Sequence, residues 1–271
     1  MVLKLLKLEY SKFRKNSVIT LLALFFIFFL PLSLYFGEFF KTLQQSVNMP
    51  LKINILSAPL IWDYLGYAGN WVVFFFLGVM VIYTVTIDAT TKTMRQNIIT
   101  GLSRKEYYLA KFFTVNVLAI AATLYYFILA LAFGWLNTKN VSLGSLMDNE
   151  MAIPRFWLMS FAYLNFALLL AFYFRKPGIA VFVYLTYMIV GEPIIKLLIK
   201  KYIMENKFVN YLPMNVAEDL MPFPVIKMAE GFGRKEVEEM LLPYAEAALM
   251  TVIWTSIIIV TTYYIFNKRD I

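Results

Sequence analysis

TIDATTKTMRQNIITGLSRKEYYLAK, residues Thr86 to Lys111, is a polar and basic stretch set between two long apolar runs. Its middle predicts a short amphipathic helix, because Met94 and Ile98 lie one turn apart with Ile99 beside them, while Lys92, Arg95, Gln96 and Asn97 face elsewhere. Thr100-Gly101 ends that helix, since glycine supplies a left-handed C-terminal cap at no steric cost. Ser103 and Glu106 then have capping-box spacing, so a new helix restarts at once. The stretch therefore reads as a small helix lying across the feet of two long ones.

Composition says what the long ones are. The chain is 61% hydrophobic and 18% aromatic with 15% charged residues, a balance outside the range of soluble domains. It reads as an all-α integral membrane protein. Cysteine and histidine are both absent, which removes disulfides, thiol nucleophiles, histidine bases and the usual zinc, haem and copper ligand sets. The net charge of +8 sits beside apolar spans rather than on one basic face, so it implies membrane orientation and not nucleic acid.

Working outward in both directions gives six spans, expected at about 17–36, 65–87, 108–136, 156–174, 179–203 and 244–266. Residues 1–16 precede them as an interfacial helix, with Leu3, Leu6, Tyr10 and Phe13 on one face and Lys4, Lys7, Ser11 and Arg14 on another. The first span is too long for a signal-peptide core and is followed by no small-residue cleavage pattern, so it is expected to be retained. Residues 37–64 are expected as a loop. The fifth span is expected to break at Gly191-Glu192-Pro193, with short helices and turns over 204–243 on the outer side.

Segments 1–16, 88–111, 175–178 and 267–271 carry 14 Lys/Arg against four acids, whereas the other side carries 11 against 13. Counting only the short loops of that other side leaves Lys41, Lys52, Lys139 and Arg155. Both termini are therefore expected in the cytoplasm.

In this setting the opening stretch resembles the first cytoplasmic loop of type-2 ATP-binding-cassette (ABC) exporter permeases. The resemblance is carried by Asp88, Lys92-Thr93, Met94-Arg95, Ile98-Ile99, Gly101, Ser103-Arg104 and Lys111; Asp88 and Lys92 stand where Glu and Gly are commoner. It implies one exporter-type transmembrane domain over 1–271, with the interfacial helix at 1–16, a coupling-helix loop at 88–108 and an extracytoplasmic segment at 204–243 that includes a re-entrant part. It also implies that Thr93, Met94, Arg95, Ile98, Ile99 and Arg104 couple the chain to a separate ABC ATPase subunit. That subunit, and not this chain, would bind ATP and Mg. A second permease copy or a paralogue would complete the dimer, in the plasma membrane, a bacterial inner membrane being the usual setting.

The residues themselves agree that ATP chemistry lies elsewhere, since no glycine is followed by lysine and the phosphate-binding GK[ST] ending is absent. No catalytic or metal-binding set emerges. Within the spans, Asn165 and Glu192 are the candidates for a substrate pathway, against plainer roles as interhelical glue for Asn165 and an ion pair with Lys196 for Glu192. A straight fifth helix places Glu192 about 20 Å from Ile179, inside the hydrocarbon layer. The competing function classes are an intramembrane enzyme and an ion-coupled secondary transporter; both call for intramembrane carboxylates, which apart from Glu192 and Glu246 the spans lack.

Overall fold

A computed structural model describes residues 2–14, 16–46, 54–139, 142–202, 207–224 and 241–269. All regular structure among them is helical, and six helices are long and apolar enough to cross a membrane. We number the helices α1 (Val2–Phe13), α2 (Ser17–Ser46), α3 (Leu60–Thr90), α4 (Thr93–Ile99), α5 (Arg104–Asn137), α6 (Ala152–Phe174), α7 (177–202), α8 (Pro213–Glu218) and α9 (Tyr244–Lys268). Lys52 and residues 204–206 and 225–240 of the expected outer segment lie outside the described residues.

The most buried helix is α6, which packs against α3, α5, α7 and α9. Close approach on this axis needs small residues. A Cβ on Gly78 of α3 would collide with the Tyr184 hydroxyl of α7, so no larger side chain fits without moving the ring.

Both ends of the expected loop 37–64 and the expected break in the fifth span turn out helical. α2 continues ten residues past Phe36, because nothing between 37 and 46 breaks a helix and Glu38 pairs with Lys41 one turn on at 3.6 Å. α3 begins at Leu60 rather than 65, since Ile61, Trp62 and Leu65 enter the core and carry the first turn with them. Ahead of α3 the described chain turns at Asn54 and Ser57.

At Gly191-Glu192-Pro193 the helix does not stop. It widens into a π-helical turn over Tyr187–Gly191 and resumes as Glu192–Tyr202. The wider turn accommodates a proline ring that would otherwise meet the carbonyl four residues back. Pro31 inside α2 is handled differently. It leaves the Ile27 carbonyl without its helical donor, and the Tyr125 hydroxyl of α5 donates to that oxygen at 2.7 Å.

Cross-links sort the bundle into two ends. One end gathers α1, the α3–α5 connection and the tail of α9: Lys12 meets Asp88, Arg104 donates to the Asn267 and Arg269 carbonyls, and Arg269 donates to the Tyr173 carbonyl. The other end gathers residues 54–63, 146–155, 207–224 and 242–244. There Arg155 faces Asp63 at 3.5 Å, donates to Asn149 at 2.9 Å and lies over the Tyr244 ring.

Candidate functional site

α4 lies at the first end between two residues in left-handed backbone conformations, of which the sequence specifies only the second, Gly101. Lys92 precedes it in the left-handed region at φ 61°, the conformation glycine adopts most easily. Gly101 (φ 113°) closes it in a Schellman arrangement, with Leu102 N–H on the Asn97 carbonyl and Gly101 N–H on that of Ile98. The capping box then forms as its spacing requires: Glu106 N–H donates to Ser103 Oγ at 3.2 Å, and Ser103 N–H to Glu106 Oε2 at 2.9 Å.

Orientation separates the residues expected to couple. Met94 is 2% exposed and sits in the core, with Ile98 packed partly behind it. The apolar face of α4 therefore seats the helix on its own chain, and Met94 is not available to a partner. Arg95 and Gln96 point outward, as does Ile99, which is 74% exposed. Thr93 is half-buried with its hydroxyl 2.8 Å from that of Thr91. Arg104 is committed to the carbonyls of Asn267 and Arg269, capping the end of α9. Of the six expected coupling residues, Arg95 and Ile99 remain on the free face.

Beneath α4 lies a buried charge cluster. The Lys111 ammonium, 1% exposed, is 2.6 Å from Glu9 Oε2, 2.8 Å from Asp88 Oδ2 and 3.1 Å from the Thr84 carbonyl. Lys12 reaches Glu9 Oε1 at 3.1 Å and Asp88 Oδ2 at 3.0 Å, and the Tyr107 hydroxyl donates to Asp88 at 2.9 Å. Two carboxylates and two ammoniums balance, which is the condition under which buried ions are tolerated. Burial acts to lower the Lys12 pKa, but Glu9 and Asp88 outweigh it and the ammonium is held above its usual range. The cluster ties α1 to α3 and α5, the two helices that flank α4 in the chain.

Asp88 and Lys111 were legible in the sequence, but Glu9, Lys12 and Tyr107 were not. α1 also lies differently from its helical-wheel reading: Tyr10, assigned to the apolar face, is exposed, and Glu9 is the buried side. One signal was there to find. Glu9 is the single acid among the five basic residues of 1–16.

The two pathway candidates are far from this end. Asn165 is buried; its Nδ2 donates to the Phe161 carbonyl at 2.8 Å, and its Oδ1 has no partner among the described residues. Glu192 does not pair with Lys196. Its carboxylate accepts the Met214 and Asn215 amides at 2.6–3.1 Å, capping the start of α8, while Lys196 donates to Asn215 Oδ1 at 2.8 Å. Free amides at a helix start match a carboxylate better than a lysine that already has an oxygen partner. These residues line a cleft of about 230 Å³ with Met188, Pro193 and Glu218.

No group of carboxylates suited to a metal ion occurs among the described residues. Comparison with protein-family models and with curated proteins returns no match for this chain.

Proposed function

We propose that the chain is the membrane-spanning permease subunit of an ATP-driven exporter of the type-2 ABC kind, working as a dimer with a second copy or a paralogue. ATP is bound and hydrolysed on a separate ATPase subunit, which grips α4. The observation that carries this reading is the build of α4: a seven-residue helix fastened by Met94 and closed at its C-terminal end by Gly101, with Arg95 and Ile99 directed away from the chain. Its surroundings suit force transmission, because the buried cluster below joins α4's neighbours α3 and α5 to α1 through short charge-assisted bonds. Exposed Lys92 and Arg95 make the free side of α4 basic, so the receiving groove combines apolar wall with carboxylates. The basic end then lies in the cytoplasm, in agreement with the loop charges.

In such a subunit the pathway runs toward the opposite end, and the cleft beside Glu192 and Glu218 is the candidate mouth. Glu192 positions α8 there rather than meeting substrate itself.

The decisive experiment is coexpression with a candidate ATPase and reconstitution in vesicles. Arg95→Glu with Ile99→Asp should abolish capture of the ATPase and substrate-stimulated ATP turnover, leaving helicity and membrane insertion intact. Normal turnover in that double variant would refute docking through α4. Met94→Asp, by contrast, should damage the permease fold itself.

A further inference from the structure

Where α1 gives way to α2, residues Arg14, Ser17, Thr20, Leu21 and Leu24 enclose an open cavity of about 280 Å³. Its two ends differ in chemistry. At the α1 end stand the Arg14 guanidinium and the Ser17 hydroxyl, both exposed and neither engaged in a hydrogen bond or ion pair with the described residues. The backbone does not compete for what they would hold, because Asn16 Oδ1 already takes the Val18 and Ile19 amides at 3.0 and 3.3 Å. Thr20 Oγ1 donates to the Asn16 carbonyl at 3.1 Å, which leaves its lone pairs free to accept. At the far end the walls are Leu21 and Leu24, and exposed Phe28 continues the same stripe one turn on.

We propose that this cavity is a site for an acidic phospholipid: phosphate on Arg14 and Ser17, a headgroup hydroxyl on Thr20, and an acyl chain along Leu21, Leu24 and Phe28. Depth matches chemistry. With a rise of 1.5 Å per residue, Leu24 lies about 10 Å and Phe28 about 16 Å along the helix from Ser17. The headgroup layer on each side of a bilayer is only about 5–8 Å thick, so a phosphate at Ser17 puts the leucines among acyl chains. The stripe belongs to a face of α2 that the described residues leave exposed, on one of the six helices long and apolar enough to span.

Charge selects the lipid. In sequence, segments 1–16, 88–111, 175–178 and 267–271 carry 14 Lys/Arg against four acids, and two of those acids, Glu9 and Asp88, are spent in the buried cluster. A zwitterionic headgroup would bring its own cation into these surroundings, whereas an acidic headgroup without an amine, such as that of phosphatidylglycerol, brings none. Arg14 supplies a planar donor fork suited to phosphate oxygens. The site depends on the membrane-spanning character of α2 and not on the permease reading.

The full chain, purified in detergent and stripped of lipid, can be offered phosphatidylglycerol or phosphatidylcholine of identical chains, with bound lipid counted by native mass spectrometry. Loss of one charge-assisted contact corresponds to about tenfold in affinity. The wild-type chain should therefore prefer phosphatidylglycerol by about that factor, and Arg14→Gln with Ser17→Ala should remove the preference. Lys105→Gln, at an exposed position of the same end, should keep it. Three results would overturn the site: an unchanged preference in the Arg14/Ser17 variant, an equal loss in Lys105→Gln, or displacement of the lipid by millimolar inorganic phosphate. A change in oligomeric state of the Arg14/Ser17 variant would likewise reassign the face to a second copy of the chain.

Discussion

Lys92 occupies a backbone position that suits glycine. A side chain in the left-handed region costs about 1–2 kcal/mol, partly offset because glycine loses more entropy on folding. Lys92→Gly should therefore stabilise the chain by up to about 1 kcal/mol, read as a higher unfolding temperature in detergent. A lower temperature would show that the ammonium makes a compensating contact. Glu9 and Lys111 test the opposite case, where a side chain is indispensable. Removing one partner of a buried pair leaves an uncompensated charge, worth about 3–5 kcal/mol. Glu9→Gln and Lys111→Met should each destabilise on that scale, and the double variant by much less than their sum. Additive losses would mean that the two residues act independently. Only part of this residue-level picture was legible beforehand: Gly101 and the Ser103/Glu106 box follow from local backbone chemistry, whereas Lys111, the buried partner of Glu9, lies 102 residues away.

At the scale of elements, α8 and the segment around it depend on buried carboxylates. Asp219 lies outside the spanning helices, accepts the Leu242 amide at 3.2 Å and the Asn215 side chain at 3.1 Å, and is nonetheless pushed up to about 7 by burial, with the Leu242 amide and Lys196 pulling the other way. The folded state thus holds this proton more tightly than the unfolded chain, whose carboxyl titrates near the ordinary 3.8. Stability linked to Asp219 is full below the unfolded value, falls as pH rises from about 4 to about 7, and is flat above that. Hydrogen exchange over 207–224, corrected for its intrinsic pH dependence, should accordingly be slower at pH 5.5 than at pH 8. Asp219→Asn should abolish that difference; its persistence would assign the titration to another group. The same scale explains why a break was expected in α7 and is absent. Proline and glycine signal an interruption, but a π-helical turn absorbs both without exposing backbone polar groups, and no local pattern distinguishes the two outcomes.

For the whole molecule, the two ends of the bundle should face opposite sides of a membrane. Because the chain lacks cysteine, single thiols introduced at Ser103 and Ser142, which flank α5, can be labelled without prior changes. An impermeant maleimide should label position 142 in intact cells and position 103 only after permeabilisation. The reverse pattern would invert the orientation, and labelling of both would break the spanning assignment for α5. What the sequence by itself determined is the all-helical, six-span character, the basic end and the caps around α4, because hydropathy, loop charge and turn chemistry act over a few residues at a time. Tertiary structure decided which face of α4 is free, that Met94 and Arg104 serve their own chain, that Glu192 caps α8, and that Glu9 joins Lys111 and Asp88. Each of those depends on helices distant in sequence being brought within about 3 Å, and a buried ion is tolerated only once the fold has supplied its partner.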